Sequence, residues 1–181
     1  MKKLALEGGK PFIKKEFDLG ATYFKEEIKA VNEVLSKGTI SGFVANSGPK
    51  FYGGNKVKEL ESSFKNYFNS KFAVASNSAT SSLHCALSAL GISKGDEVII
   101  PSLSMSASAT SIVMTGAKPV FIDICKGDCI SCSNSVSKTK KECCFNIKVE
   151  DIEACINSKT KAILVVHLFG RPANMKEIHK I

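Results

Sequence analysis

Phe72-Ala73-Val74-Ala75-Ser76-Asn77-Ser78-Ala79-Thr80-Ser81-Ser82 leads, by way of Gly91, into Glu97-Val98-Ile99-Ile100-Pro101-Ser102. A short apolar run, a turn of small polar residues, an Ala/Leu-rich segment stopped by glycine and a second apolar run read as strand, helix, strand. We expect a short buried strand at Phe72–Ala75, a helix over Ser78–Leu90 and a strand at Glu97–Pro101. The rhythm continues with a small-residue helix over Ser106–Thr115 and a strand over Pro119–Ile124. A helix at Val149–Ile156, a strand of Ile, Leu and Val over Lys161–Phe169 and a helix opening at Asn174 complete it. Apolar runs without polar alternation belong to strands buried on both faces, so the pattern requires a mostly parallel sheet between helices, an α/β fold.

Upstream, Lys25–Lys37 carries Ile28, Val31, Val34 and Leu35 at helical spacing, and Gly38 supplies the left-handed residue that ends a helix. Thr39–Gly54 holds four Gly and a Pro and reads as a long loop of the kind that often carries function. A second helix follows over Asn55–Phe68, with Val57, Leu60, Phe64 and Tyr67 on one face. The expected division is a helix-and-loop segment at 1–54 and a sheet-bearing domain at 55–181, with a Cys-rich insert at 125–144.

Composition narrows the function. The chain has 181 residues, 44% of them apolar, enough for one domain with a sizeable core. Its net charge is +8, but lysines alternate with glutamates, as at Lys25-Glu26-Glu27, and form no basic patch; nucleic acid is not an expected partner. Val98–Ala117 lacks charge, yet its five Ser, two Thr and a Pro make it a poor membrane span. No apolar leader follows the N-terminal lysines, and a cytoplasmic protein is expected.

In open α/β folds ligands gather where strands end and helices begin. Ala75–Ser82 is such a junction: small residues allow close approach, and the free N–H groups of a first helical turn favour an anion such as phosphate. The plainer reading is an ordinary N-cap. Neither a Gly-Lys-Thr phosphate loop nor a dinucleotide fingerprint is present. Pro101–Ala107 is a second junction of the same kind, where Met105 would either lie over a flat ligand or fill the core.

Ser78-Ala79-Thr80-Ser81-Ser82-Leu83-His84, then Gly95-Asp96-Glu97-Val98-Ile99, Thr115-Gly116-Ala117-Lys118-Pro119-Val120-Phe121-Ile122-Asp123, Phe145-Asn146-Ile147 and His167-Leu168-Phe169-Gly170-Arg171-Pro172-Ala173-Asn174-Met175 form a collinear series. With Ser41-Gly42 and Gly53-Gly54-Asn55-Lys56-Val57 upstream, it resembles the DegT/DnrJ/EryC1/StrS family of sugar aminotransferases. The resemblance implies part of the large domain of a fold-type I enzyme dependent on pyridoxal 5′-phosphate (PLP), a three-layer α/β/α sandwich. It implies that the N–H groups of Thr80 and Ser81 hold the cofactor phosphate. Met105 would stand where the family commonly stacks an aromatic ring on the pyridine, Ser41 and Gly42 would approach the sugar, and His167 would be structural. The family's Schiff-base lysine and its aspartate against the pyridine nitrogen align beyond Ile181, so no catalytic residue is assigned. The expectation is therefore the N-terminal part of an enzyme moving an amino group from glutamate or glutamine to a nucleotide-linked keto-sugar. The full-length relative would be a homodimer; this chain alone is expected to be inactive and poorly soluble. The competing readings are a non-catalytic remnant and a metal-binding interaction module.

Five of seven cysteines fall within Cys125–Cys144. Cys125-x3-Cys129-x2-Cys132 has the spacing of an iron–sulfur triad, though Ser131 stands where such motifs favour an aromatic. Cys129, Cys132, Cys143 and Cys144 would make a zinc knuckle, with adjacent ligands poorly disposed for a tetrahedron. The favoured reading is a polar surface loop with free thiols. Cys85 and Cys155 are expected to be buried on helix faces.

Overall fold

The computed structural model describes residues 3–14, 20, 23–126 and 144–181. The chain forms two compact units, Met1–Phe72 and Ala73–Ile181. In the first, α1 (Lys25–Ser36) opens with the Phe24 N–H donating to Glu27 Oε2 at 2.8 Å, and Gly38 follows it with φ +69°. The loop beyond it crosses the start of α2 (Asn55–Tyr67) so closely that a Cβ on Gly42 would lie 2.6 Å from Gly54 Cα. Helix α2 ends on Asn69, held at φ +49°, with the Ser70 N–H returning to Lys65 O. Neither helix buries a residue, and Ile28, Val31, Leu35, Leu60 and Phe64 are all about half exposed. The second helix, placed by the sequence with the sheet, clusters with the first unit.

The second unit is a three-stranded parallel sheet of β1 (Glu97–Pro101), β2 (Lys118–Ile122) and β3 (Thr160–Ile163), in the order β2-β1-β3. Alternation along central β1 explains the architecture. Val98 and Ile100 point to one face and pack with Leu87 of α3 (Ala79–Ala89), Ile112 of α4 (Ser106–Met114), Ile92 and Ala117. Ile99 points to the other and joins Ile122, Ile147, Val149, Ile152 of α5 (Ile152–Cys155), Ala173 and Ile178 of α6 (Met175–Ile178). All three β1 side chains are at most 1% exposed; burying each contributes about 1.5–3 kcal/mol. Helices therefore cover both faces. Pro119 is tolerated because β2 is an edge strand.

At the amino edge one carboxylate ties the three strands together. Glu97 at the start of β1 accepts from Lys118 Nζ of β2 at 3.2 Å and from Asn157 Nδ2, just before β3, at 2.8 Å. These contacts hold its carboxyl below the ordinary glutamate range, the Asn157 hydrogen bond contributing most and Lys118 next.

Three expectations need correction. Phe72–Ala75 is extended but is not a strand, and Phe72 and Val74 are 84% and 87% exposed. No described strand runs beside it, and a strand exists only through its neighbours. The strand expected over Lys161–Phe169 pairs only to Ile163; Leu164 adds one hydrogen bond to Ile99 O before the chain bends into a 3-10 turn at Leu168–Gly170. Cys85 is exposed, because it sits about 200° around α3 from buried Leu87. Cys155 is half-buried against the Ile99 cluster.

Candidate functional site

With the amino edge closed by Glu97, the connections that leave the strands lie at the other end. Ser102 follows β1, Asp123 follows β2, and the His167 turn follows β3.

The best-built element is the start of α3. Ser78 is its N-cap: Ser78 Oγ accepts the Ser81 N–H at 3.1 Å and donates to Ser81 Oγ at 3.0 Å. Ser76 Oγ donates to Ser78 O at 2.9 Å and lies against Ser82 Oγ, which in turn donates to Ser78 O at 3.2 Å. Four serines thus fix a turn that is open to solvent. The Thr80 N–H meets no acceptor among the described residues, whereas that of Ser81 is engaged by its own cap. The two expected phosphate donors therefore differ: Thr80 is free to donate, and Ser81 would have to exchange its Ser78 bond. No Asp, Glu, Lys or Arg occurs between Ala75 and Ser93, so an anion here meets peptide dipoles and hydroxyls rather than a counter-ion.

Helix α4 packs beside α3. Met105 is its N-cap residue and is 77% exposed, so it is not core filler. Behind it Ser104 Oγ and Ser108 Oγ lie 2.8 Å apart, and buried Ser111 donates to Ser108 O. Ser41 and Gly42 belong to the first unit, in the loop that Gly54 crosses.

A latch at the β3 end escaped the sequence reading. Asn146 is 2% exposed and uses both ends of its amide: Oδ1 accepts the Leu168 N–H at 3.0 Å and Nδ2 donates to Arg171 O at 3.1 Å. His167 Nδ1 accepts the Ala173 N–H at 3.0 Å, a structural role. Between these ties Phe169 is held at φ +53°, its ring edge-on to that of Phe145, itself at φ +56°. The available clue was an Asn set between Phe145 and Ile147 in an apolar context, where a buried amide must find partners.

Among the described residues no group of three or more His, Cys, Asp or Glu is placed to hold a metal. Cys129, Cys132 and Cys143 lie outside them. Cys125 is disulfide-bonded and fully buried, correcting the expectation of a free thiol there. No helix among the described residues is long and apolar enough to cross a membrane.

The DegT/DnrJ/EryC1/StrS aminotransferase family model matches residues 24–181. A GDP-perosamine synthase of Escherichia coli O157:H7 is 40% identical over 125 residues, 69% of this chain and 30% of that protein. An aminotransferase from Psychrobacter cryohalolentis superposes with a TM-score of 0.72 at 31% identity, covering 91% of this chain and 35% of its own. A GDP-4-keto-6-deoxymannose-3-dehydratase, solved with a trapped PLP-glutamate geminal diamine, does so at 0.69 and 28% identity, covering 89% and 36%. The chain spans about a third of the length of each relative.

Proposed function

Because the chain belongs to the DegT/DnrJ/EryC1/StrS aminotransferase family, we propose that it carries the cofactor-phosphate cradle of a PLP-dependent sugar aminotransferase. Its three-layer α/β/α arrangement is that of part of a fold-type I large domain. The proposed reaction moves an amino group from glutamate or glutamine to a nucleotide-linked keto-sugar, in a cytoplasmic homodimer at full length. Support for the nucleotide-sugar class comes from the GDP-sugar relatives, and for glutamate from the adduct in the dehydratase.

The α3 donor set suits a phosphate dianion: one free N–H at Thr80, a second at Ser81 shared with its cap, and serine hydroxyls that can turn to donate. Thr80 and Ser81 would hold the phosphate, exposed Met105 would pack its thioether on the ring face, and Ser41 and Gly42 would serve the sugar side. PLP, when bound, supplies the electron sink that amino-group transfer needs. The chain's own contribution is to bind and orient that group.

The observation carrying this reading is the serine-fixed turn with its unpaired Thr80 N–H. Calorimetry with pyridoxamine 5′-phosphate, which forms no Schiff base with surface lysines, tests it. We expect binding at least tenfold tighter than for pyridoxamine, and its loss in Thr80→Pro. That substitution removes the donor from a first turn where no helical hydrogen bond depends on it, so the melting transition should persist. Equal affinity for the two ligands would overturn the reading.

A further inference from the structure

The loop that leads into α2 departs from the alternation of charge seen elsewhere in the chain. Between Glu33 and Glu59 there is no Asp or Glu, but there are four lysines, Lys37, Lys50, Lys56 and Lys58. The loop closes on itself: the Val44 N–H donates to Lys50 O at 3.2 Å, the Phe51 N–H to Gly48 O at 3.0 Å and the Gly53 N–H to Lys50 O at 3.2 Å. Lys58 Nζ reaches back from α2 and donates to Pro49 O at 2.9 Å. The turn so made carries three rings in series. Phe43 and Phe51 have centroids 6.4 Å apart, and Phe51 meets Tyr52 edge-to-face at 5.4 Å. They are 57%, 46% and 73% exposed, so ring surface that folding gains by burying stays in water beside the lysines.

We propose that this turn binds the nucleoside diphosphate half of a nucleotide-linked sugar, the base lying on the Phe51 and Tyr52 rings and the phosphates meeting Lys50 and Lys58. The choice of ligand rests on the sugar-aminotransferase reading; the site itself stands on the first unit alone. Flat bases stack on aromatic faces in water, and a diphosphate favours cations without neighbouring carboxylates. Lys56 is engaged by Glu59 at 2.9 Å, which leaves Lys50 and Lys58 for the phosphates. Lys58 uses one of its three N–H donors on Pro49 O and keeps the others. Ser41 and Gly42, proposed above for the sugar, immediately precede Phe43, so sugar and base would be served by one loop. The other exposed ring series, Phe64, Tyr67 and Phe68 along α2, lacks this chemistry. Glu59 and Glu61 share its helix, and its spacing is that of an ordinary apolar helix face.

Calorimetric titration of the full chain with GDP tests this, against guanosine, inorganic pyrophosphate and GDP-mannose. We expect GDP to bind about tenfold tighter than either guanosine or pyrophosphate and to weaken as salt rises. GDP-mannose should bind at least as tightly as GDP. Tyr52→Leu should weaken GDP by about fivefold or more, Tyr52→Phe should retain it, and Tyr67→Leu in the second ring series should leave it unchanged. Lys50→Gln should weaken GDP and flatten its salt dependence while guanosine binds as before. Melting curves matched to the parent chain keep folding out of these comparisons. No binding of GDP, affinity no better than that of pyrophosphate, or equal losses in Tyr52→Leu and Tyr67→Leu would overturn the site. Weaker binding of GDP-mannose than of GDP would assign the turn to free nucleotides and overturn the nucleotide-sugar occupant. The cradle at Thr80 has its own readout in pyridoxamine 5′-phosphate. A chain that takes GDP but not that ligand keeps this site and loses the aminotransferase reading, and the reverse outcome strikes this site alone.

Discussion

At Gly42 a single hydrogen atom decides whether the loop before α2 can close. A methyl group there would sit 2.6 Å from Gly54 Cα, and backbone cannot swing aside as a flexible side chain can. Gly42→Ala should therefore cost the first unit about 1–3 kcal/mol, read as a lower urea midpoint, while Gly38→Ala tests a different cause, the positive φ after α1. The sequence reading had marked Gly42 for the sugar side, and nothing in the string 41–54 discloses that its first task is to pass another glycine. The same limit applies at Asn146, whose partners lie 22 and 25 residues away. Ser78 was legible, since a serine before an Ala-rich helix reads as a cap from local chemistry alone. Which first-turn N–H that cap would occupy was not.

Among the elements, β1 was the most readable and Phe72–Ala75 the least, though both are short apolar runs. Val98, Ile99 and Ile100 are unbroken because each face of β1 meets a helix layer. The earlier run is apolar too but has no neighbouring strand among the described residues, and pairing is a property of two segments. The strands' amino ends carry a pH prediction. The carboxyl of Glu97 is held below its ordinary range by Asn157 and Lys118, so the folded state binds its proton less readily than the unfolded chain does. Its contribution is full above the unfolded value near pH 4 and fades as the pH falls through the lower folded value. Denaturation midpoints between pH 6 and pH 3 should decline, and Glu97→Gln should flatten the decline. An unchanged slope in the variant would assign the acid sensitivity to other carboxylates.

For the whole molecule, stability is concentrated in the second unit, where both core clusters lie and share only the sheet between them. Ile99 is the central-strand residue of one cluster and fully buried. Ile99→Ala should cost about 2–5 kcal/mol, seen as loss of the cooperative melt, whereas Ile28→Ala on a half-exposed helix face should cost far less. Alternating strands and helices revealed the layers because each apolar run had to be covered twice. Connections that depend on distant partners, the Asn146 latch above all, could not be read that way. Ile124 and Ile147 form an antiparallel bridge flanked by the Cys125 N–H on Asn146 O and the Lys148 N–H on Asp123 O, and this short stem has a consequence for protein engineering. Its ends are already joined, so sequence spliced between Lys126 and Cys144 adds a closure cost that grows only with the logarithm of its length. A longer sequence spliced in there should therefore leave the melting of the sheet nearly unchanged, a tolerance that a domain-insertion series would read directly.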